Sequence, residues 1–474
     1  MSRVTRRQFV KGSIAAMATI TVAGTKSSGQ VRGANEMIRV AVAGLNGRGS
    51  AHTGAYNGMT GVQIAYLVDP DTRTYARRLT GLRAPAPRTV ADIRRALEDR
   101  NVDAVSIATP NHWHALMTIW AAQAGKHVYV EKPSSHNIRE GRITVEMARR
   151  HNVIVQHGTQ SRTEGGWANT IAAIQSGRYG RLLVSRALCY KLRNSIGTRP
   201  NTPSPTEVDF DLWLGPAQRT AHHANLVHYN WHWFWAFGNG DIGNQGVHQM
   251  DIARWAIQGA TLPRSVISVG GRFGYTDQGE TPNTQVTLMD FGQTKLIFEV
   301  RGLRSDGFRG QGVGNVFHLE QGVIAGNRFF ARGEGAGEAI PNMNVQRGPG
   351  GSHFANFIAA VRSRRVQDLN ADILDGHYSS ALCHLANISY QLGTPAAFNP
   401  RTRAFGDNAD ANEAVARMEA HLTGHNLTLA DQRLHVGRRL EIEAGSENFN
   451  GNAEANRLLT RQYREGFAVP ERVG

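Results

Sequence analysis

The stretch from Ile38 to Gly49 constrains the fold more than any other part of the sequence. A β-branched apolar run ends at the glycine-rich hexapeptide Gly-Leu-Asn-Gly-Arg-Gly, called here the glycine turn (residues 44–49), and a segment of helical character follows. This order predicts a strand, a tight turn and a helix whose N-terminus faces the turn. In parallel α/β sheets, such a turn lets the backbone approach the pyrophosphate of a dinucleotide. The predicted contacts are Gly44, Asn46, Gly47, Arg48 and Gly49.

An acidic residue at the end of the next apolar run strengthens this interpretation. Many glycine-rich turns bind nothing, and the usual second glycine is Asn46 here. However, the run from Val62 ends in Asp69, twenty positions after Gly49, where a carboxylate accepts hydrogen bonds from the adenosine ribose. Asp69 would repel a 2′-phosphate and so favours NAD over NADP, although Arg73 is close enough to moderate that preference.

Apolar runs and helical segments alternate up to residue 158. Runs at 102–108, 126–130 and 153–156 read as the third, fourth and fifth strands, with helical periodicity at 113–124 and 138–150. Strands that alternate with helices indicate right-handed crossovers and a doubly wound parallel sheet. Ligands bind beyond the carboxyl ends of such strands, so the segments that follow strands three to five should line the cleft.

Those segments carry polar side chains suited to a cofactor and a sugar. In a dinucleotide cleft, Lys132 can orient a hydroxyl and stabilise the developing alkoxide, whereas in isolation it would read as a surface residue. His112 and His114 have metal-ligand spacing, but no third ligand is evident, which favours a role at the helix start. The residues predicted to contact the cofactor here are Thr109, Pro110, Asn111, His114, Glu131, Lys132 and Gln160, and Arg162 is predicted to contact the substrate.

The second half of the chain predicts an antiparallel sheet. Strand-like runs lie at 181–192, 264–273, 284–291 and 294–301, with two more at 315–325 and 328–331. No helical segments separate the later runs, so they should pair antiparallel. Helices are predicted at 352–363 and 374–390. The segment 209–216 and the aromatic stretch 228–235 precede a Gly-Val-His-Gln-Met-Asp motif at 246–251. Aromatic clusters are usually core, but these adjoin the predicted chemistry, so we predict that some of their rings line the substrate pocket.

The N-terminus has the layout of an export signal. Arg6-Arg7 precede an uncharged stretch from Gly12 to Gly24, which is the twin-arginine address, and about 13 apolar and small residues are too few to span a bilayer that needs about 20. The sequence therefore predicts a periplasmic or extracellular protein, exported folded by the twin-arginine translocase. Because nicotinamide cofactors are scarce outside the cytoplasm, we expect tightly bound NAD that is loaded before export.

Composition is that of a soluble globular protein with two domains. The chain has 474 residues, 41% of them hydrophobic, and a formal charge of +15. Residues 1–37 contribute six basic residues and one acidic residue, which leaves about +10 without them. The remaining basic residues are scattered, which argues against a nucleic-acid surface. Two cysteines form neither a disulfide framework nor a zinc site.

These motifs together resemble the glucose–fructose oxidoreductase, inositol dehydrogenase and rhizopine-catabolism (Gfo/Idh/MocA) family. The resemblance covers nearly all of residues 38–393, and the motif Glu131-Lys132-Pro133 coupled to Gly246-Val-His248 carries it. It implies an α/β protein, with a nicotinamide-binding Rossmann domain followed by an α/β domain that holds a large, mostly antiparallel sheet. It also implies a homo-oligomer, a dimer or tetramer, formed through the open face of that sheet, and a carbohydrate substrate at its upper edge.

The chain departs from the family at Asn244, where an aspartate is common. An amide can hydrogen-bond a hydroxyl but cannot take its proton, which leaves His248 as the predicted acid/base. Asp241 or Asp251 could orient the imidazole, although Asp251 could equally pair structurally. The predicted catalytic residues are Lys132, His248 and Asn244, and the predicted substrate contacts are Arg162, His232, Trp233 and Asp251.

Three functions fit these residues. The first is an NAD(P)-dependent oxidoreductase that removes a hydride from a sugar, polyol or glycoside. The second is an NAD-dependent glycosidase of the same family, which oxidises, eliminates, hydrates and reduces without net redox change. The third is a sugar-binding protein without catalysis. No metal is expected in any of them.

The predicted domains follow from this division. Residues 1–37 are the signal and leader, 38–158 the NAD-binding domain and 159–398 the substrate and oligomerisation domain. Residues 399–436 contain a helical segment that looks like an insertion relative to the family. Residues 437–474 are predicted to dock on the body, because 463–470 is rich in aromatic and apolar residues.

Overall fold

The first domain is a parallel sheet of six strands flanked by helices. The computed structural model describes residues 37–332, 335–398 and 404–473, so the predicted export signal lies outside the described residues. The strands are β1 (Ile38–Ala43), β2 (Val62–Val68), β3 (Arg88–Val90), β4 (Ala104–Ile107), β5 (His127–Val130) and β6 (Val155–His157). Their order is β3-β2-β1-β4-β5-β6, with every pairing parallel, which is the Rossmann arrangement.

Helices cover both faces of this sheet, because its strands are apolar on both sides. They are α1 (Gly49–Gly58), α2 (Arg73–Leu79), α3 (Ile93–Leu97), α4 (Asn111–Gln123) and α5 (Ile138–Arg150). At the start of α5, the Asn137 side chain accepts a hydrogen bond from the Glu140 backbone N–H, which caps the helix. The predicted parallel sheet is confirmed, with one more strand than expected, since β3 was missed.

The second domain is built on a sheet of twelve strands within the described residues. They are β7 (Leu182–Tyr190), β8 (Ser265–Gly271), β9 (Thr284–Phe291), β10 (Thr294–Arg301), β11 (Val313–Leu319), β12 (Gly322–Ala325), β13 (Arg328–Ala331), β14 (Glu338–Ala339), β15 (Thr394–Ala397), β16 (Arg433–Val436), β17 (Leu440–Glu443) and β18 (Asn448–Phe449). The order is β14-β13-β12-β11-β7-β10-β9-β8-β16-β15, with β17 pairing β8 and β18.

The pairing in this sheet is antiparallel except between β7 and β10, which run parallel. The large, mostly antiparallel sheet is therefore confirmed. The run at 315–325, predicted as one strand, folds back on itself as β11 and β12, because Glu320 and Gln321 form a turn between them.

Helices pack on both faces of the second sheet and return to the first. They are α6 (Gly165–Gln175), α7 (Phe210–Leu214), α8 (Gly240–Gly243), α9 (Gly246–Ala256), α10 (His353–Ser363), α11 (Ile373–Gln391), α12 (Ala409–Gly424) and α13 (Ala453–Arg457). On one face, α9 and α11 share an apolar core with β8, β9 and β10. Phe357 and Val361 of α10 pack against β1 and β2, which fastens the two domains together.

Helix α12, in the segment predicted as an insertion, covers part of the opposite face. Ala414, Met418 and Leu422 pack in one cluster with Val286 and Ile297 of the sheet. At this position α12 covers the face of the sheet, whereas the family resemblance implies an open face that serves oligomer contacts.

The C-terminal segment lies against the first domain. Tyr463, Phe467 and Val469 pack with the cluster that contains Trp113. Arg464 donates hydrogen bonds to the backbone carbonyls of Gly215 and Asp211. In the part of the chain that the structure covers, no helix combines the length and apolarity needed to cross a bilayer.

Candidate active site

One cavity runs along the carboxyl ends of the first sheet and is closed by the second domain. Most of the residues predicted from sequence line it together: Gly44, Asn46, Gly47, Arg48, Asp69, Thr109, Pro110, Asn111, His114, Glu131, Lys132, Gln160, His232, Asn244 and His248. Clefts that gather convergent polar groups between two domains are the usual location of ligand sites.

The glycine turn has the close approaches that its residues were predicted to allow. Gly44 has φ +82°, and a Cβ there would lie 2.5 Å from the carbonyl oxygen of Ala108 on the neighbouring strand. A Cβ on Gly49 would lie 1.9 Å from the Gly44 carbonyl oxygen, so the turn has room only for a glycine at this position. Gly49 itself does not line the cavity. Nothing lies within 4 Å of a Cβ built on Gly47, and α1 begins two residues later, at Gly49. The N-terminus of α1 therefore faces open space of the kind that suits a pyrophosphate.

Asp69 connects the end of β2 to the glycine turn. Its Oδ2 accepts a hydrogen bond from the Leu45 backbone N–H at 2.7 Å, and its Oδ1 accepts one from the Asp71 N–H at 2.9 Å. Burial raises the pKa of Asp69, while these two backbone hydrogen bonds oppose the rise. Each carboxylate oxygen can accept one more hydrogen bond, and Asp69 lines the cavity, which fits the hydroxyls of an adenosine ribose.

Arg73 does not reach the cavity, which differs from its predicted influence on cofactor choice. Its guanidinium donates to the Asp71 carboxylate at 2.8 and 2.7 Å. Two other arginines of the same helix contact the turn instead. Arg77 donates to the Asn46 side chain at 2.9 Å, and Arg78 donates to the Leu45 carbonyl oxygen at 2.6 Å.

Glu131 joins the glycine turn to the segment after β5. One of its oxygens accepts hydrogen bonds from Arg48 at 2.7 Å and from His52 at 3.1 Å, and Gln160 lies 3.4 Å away. Burial alone would raise its pKa, but hydrogen bonding with His52 and the charge of Arg48 hold the pKa of Glu131 well below its ordinary value. The carboxylate is thus ionised and fixes the position of the next residue, Lys132.

Lys132 points from the first domain to the second. Its Nζ donates to the backbone carbonyl of Asn244 at 2.8 Å and to the Asn244 side-chain oxygen at 3.3 Å. Burial lowers the pKa of Lys132, although the negative charge of Glu131 works against this. An ammonium in this position can donate to a substrate hydroxyl and stabilise negative charge on its oxygen.

His248 lies on the first turn of α9, on the wall of the same cavity. Its imidazole makes no hydrogen bond with any residue that the structure describes. Burial, together with the positive charge of Lys132, lowers the pKa of His248 to about 3. The imidazole is therefore neutral near pH 7 and has a lone pair with which to accept a proton.

Three residues predicted to contact substrate lie away from the cavity. Arg162 donates to both carboxylate oxygens of Asp251, at 3.0 and 2.8 Å, and lies 3.3 Å from Asp375. Asp251 thus pairs structurally, which was one of the roles considered for it. Trp233 is buried in an apolar cluster with the Arg193 guanidinium over its ring at 5.1 Å.

The aromatic stretch contributes other residues than expected. Trp231, Tyr229 and His228 line the cavity together with His232, whose ring stacks on Trp231 at 3.6 Å. Leu212 and Trp213, from α7, also line it; they belong to the segment 209–216, and neither residue was predicted individually. The sequence predicted that the aromatic stretch contributes to the cavity wall, but not which of its rings face the cavity. A short 3₁₀ turn over Asn230–Trp233 determines which rings do so.

His112 and His114 are held by backbone groups. His112 lies 3.0 Å from the Trp213 carbonyl oxygen, and His114 lies 2.6 Å from that of Pro133 and 2.8 Å from that of Thr109. No group of three or more metal-ligating side chains occurs within residues 37–332, 335–398 and 404–473. The two imidazoles fix the segments that follow β4 and β5.

Two family models match the chain. Residues 38–159 match the model described as the oxidoreductase family, NAD-binding Rossmann fold (GFO_IDH_MocA). Residues 189–271 match the model of the C-terminal alpha/beta domain of the same oxidoreductase family. Both matches support the assignment of these regions to the Gfo/Idh/MocA oxidoreductases.

Individual relatives match over part of their length. Levoglucosan dehydrogenase of Pseudarthrobacter phenanthrenivorans is 25% identical over 278 residues, which is 55% of this chain and 64% of the relative. Glycosyl hydrolase family 109 protein 2 of Shewanella sp. strain ANA-3 is 28% identical over 213 residues, 40% of this chain and 46% of the relative. Each match therefore covers less than two thirds of the relative.

A solved structure shares the fold. The WlbA dehydrogenase of Bordetella pertussis, in complex with NADH and UDP-GlcNAcA, superimposes with a TM-score of 0.55 at 20% identity. The superposition covers 74% of this chain and 95% of that one. At this identity the likeness concerns the architecture alone.

Proposed function

We propose that this protein is an NAD-dependent oxidoreductase that acts on a hydroxyl group of a sugar, polyol or glycoside. The observation that carries the proposal is the meeting of Lys132, from the first domain, with Asn244 and His248, from the second, in the cavity that begins at the glycine turn. An amide, an amine and a neutral imidazole can together orient a substrate hydroxyl and accept its proton, as alcohol oxidation requires.

The residues present fit a nicotinamide dinucleotide. The N-terminus of α1 with Gly47 would hold the pyrophosphate, and Asp69 would hold the adenosine ribose and favour NAD over NADP. Thr109, Asn111 and Gln160 lie farther along the cavity, towards Lys132. Bound NAD supplies a hydride acceptor, which no side chain of the protein provides.

Lys132 and His248 have separate roles at the substrate hydroxyl. The ammonium of Lys132 donates a hydrogen bond to the substrate hydroxyl and stabilises the alkoxide character that develops on its oxygen. A ring nitrogen of the neutral His248 imidazole accepts the hydroxyl proton. The Asn244 side chain orients Lys132 without taking a proton.

A carbohydrate is the substrate class that the cavity wall favours. The rings of Trp231 and His232 are stacked and buried at the wall, next to Tyr229 and His248. Flat aromatic rings pack against the apolar faces of a pyranose, while Lys132 and His248 contact its hydroxyls. The name of the levoglucosan dehydrogenase relative agrees with a sugar-like substrate.

A glycosidase without net redox change is the second candidate. Two observations favour it: the name of the glycosyl hydrolase family 109 relative, and Asn244 at a position where the family commonly has an aspartate. The same Lys132 and His248 would serve both reactions. An exported protein with a retained cofactor, as we propose from the N-terminal sequence, would suit a reaction that regenerates its cofactor within each turnover.

The two candidates are separated by measuring two products at once. The purified full-length protein is incubated with free sugars, polyols and aryl glycosides in the presence of NAD, and NADH and free aglycone are both quantified. NADH formation supports the oxidoreductase, and aglycone release without net NADH supports the glycosidase. The Lys132→Ala variant should abolish either activity, whereas Lys295→Ala, in the distant β9–β10 hairpin, should not. If neither product forms with any substrate and NAD does not bind, the proposal is wrong.

A further inference from the structure

A segment of the second domain crosses to the first beside the predicted adenosine site. The backbone N–H of Thr72 donates to the Glu207 carbonyl oxygen at 3.0 Å, and the Asp209 N–H donates to that of Pro70 at 2.9 Å. Between these bonds, Asp71 and Val208 form an isolated antiparallel bridge. The crossing therefore adjoins Asp69, the residue that faces the cavity at the end of β2.

A contact between His228 and a buried carboxylate fixes a second part of this segment at the same place. The Nε2 of His228 lies 2.6 Å from Oδ2 of Asp71, whose side chain is 1% exposed. Arg73 donates to the same carboxylate from the other side. Asp71 thus receives one partner from each domain, and His228 is held at the cavity wall.

Helix α7 is fastened to the first domain by its backbone. The Trp213 carbonyl oxygen accepts a hydrogen bond from the Trp113 indole N–H at 3.0 Å, and His112 Nε2 lies at the same distance from it. The Arg464 guanidinium, from the C-terminal segment, donates to Gly215 at 2.8 Å. With these anchors on either side, Trp213 cannot swing away from the cavity without several hydrogen bonds breaking.

These anchored residues and the loop that follows β3 line the same cavity. Its lining includes Ala91, Asp92 and Ile93 from that loop, Leu212, Trp213 and His228 from the second domain, and Asp69. In a Rossmann domain, the space beyond the acidic residue of β2 takes the adenosine. We propose that Leu212, Trp213 and His228 form an adenosine wall, which encloses the adenosine half of NAD and makes its dissociation slow.

This inference rests on the proposed NAD-dependent function and adds residues that hold the cofactor. The wall lies at the adenosine end, whereas Lys132 and His248 lie at the catalytic end. Substitutions in the wall should therefore raise the dissociation rate of the whole dinucleotide and weaken the binding of ADP-ribose. It should leave nicotinamide mononucleotide unaffected, because that fragment does not reach the wall.

The test uses His228→Gln and Leu212→Ala, with His425→Gln, directly after α12, as the matched control. NADH is loaded onto each purified protein, and its dissociation is followed by the loss of energy transfer from tryptophan to the bound dihydronicotinamide. Equilibrium binding of ADP-ribose and of nicotinamide mononucleotide is measured by calorimetry. We expect NADH to dissociate about tenfold faster from both wall variants than from the wild-type protein, because losses of affinity within one site act mainly on the dissociation rate. The dissociation rate should be unchanged in the control.

The outcomes separate the inference from the function on which it rests. Equal dissociation rates in wild-type and wall variants, with NADH still bound, would overturn the adenosine wall alone. An equal loss of ADP-ribose and nicotinamide mononucleotide binding would also overturn it, because the wall would then act through the whole site. Failure of the wild-type protein to bind NADH at all would overturn the proposed function. Circular dichroism and thermal unfolding of each variant establish that it is folded.

Discussion

The Nζ of Lys132 donates to both the backbone carbonyl and the side-chain oxygen of Asn244, at 2.8 and 3.3 Å, across the boundary between the two domains. A lysine that follows a parallel strand is thereby oriented by a loop of the other domain. Since the partner is an amide, Lys132 has no carboxylate at this side to stabilise its charge, and burial lowers its pKa.

The Asn244→Asp variant should extend activity to higher pH. The catalytic form of Lys132 is the ammonium, and a lowered pKa means that this form is lost at a lower pH than for an ordinary lysine. A carboxylate about 3 Å away raises the pKa again, so the alkaline limb of the profile of kcat/KM against pH should move upward. Asn244→Ala, which removes the oxygen without adding charge, serves as the control. If the alkaline limb of the Asn244→Asp profile stays in place or moves to lower pH, Lys132 does not act as a cation.

His248 should give a flat rate profile around neutral pH. Because burial and Lys132 lower the pKa of His248 to about 3, the imidazole is neutral above that value, and protonation reduces the rate only in strong acid. We expect kcat/KM to be constant between about pH 5 and pH 8, and His248→Asn to reduce kcat by a factor of about 10² to 10⁴.

Two results would contradict this prediction for His248. A limb with a pKa between about 6 and 7, present in the wild-type protein and absent from His248→Asn, would show that the imidazole titrates as an ordinary, solvated histidine. Retention of nearly full activity by His248→Asn would remove it from the reaction altogether.

Glu131→Gln should lower both stability and cofactor affinity. Its carboxylate is buried and pairs with His52, which is also buried, and with Arg48, whose side chain is 41% exposed. The loss in free energy of unfolding should therefore be smaller than the about 3 to 5 kcal/mol of a fully buried ion pair that loses one partner. The pKa of Glu131 is lowered in the folded state, so its contribution is complete above its ordinary value of 4.5 and is lost as the pH falls through the lowered value.

Urea unfolding at several pH values checks this prediction. The difference in free energy of unfolding between wild type and Glu131→Gln should be constant from pH 7 to about pH 5 and should shrink only in stronger acid. Glu320→Gln, which removes an exposed carboxylate paired with Arg181, is the control and should show no measurable change. A difference that shrinks already between pH 7 and pH 5 would place the folded-state pKa of Glu131 above its ordinary value.

The sequence predicts the first domain well because its signals are local. The β-branched run before Gly44, the acidic end of β2 and the motif at 131–133 each occupy a few consecutive residues, and parallel-sheet topology brings them to one edge. Strand β3 was missed because it has three residues, Arg88–Val90, of which the first two are exposed. Such a segment becomes a strand only through pairing with β2.

The substrate side was predicted less well because its geometry depends on contacts distant in sequence. Arg162 and Asp251 are 89 positions apart, and nothing near either residue shows that they pair with each other instead of with a ligand. In the aromatic stretch, Trp231 and Trp233 look alike in sequence, but only Trp231 lines the cavity. Which ring faces inward is decided by a single 3₁₀ turn and by the packing of Trp233 under Arg193.

Asp251→Asn should destabilise the protein without changing how it binds substrate. Asp251 accepts hydrogen bonds from Arg162 and from Ser379, and its side chain is 1% exposed, so the substitution leaves the Arg162 guanidinium buried with only the more distant Asp375 as a counter-charge. The loss in free energy of unfolding should be about 3 kcal/mol, by the same reasoning as for any buried pair that loses one partner. KM should stay close to the wild-type value, because neither residue of the pair lines the cavity. Chemical denaturation and steady-state kinetics of the same preparation measure both quantities, with Asp290→Asn in the β9–β10 hairpin as the control. A large increase in KM with stability unchanged would instead mean that Asp251 contacts the substrate, as the sequence had predicted.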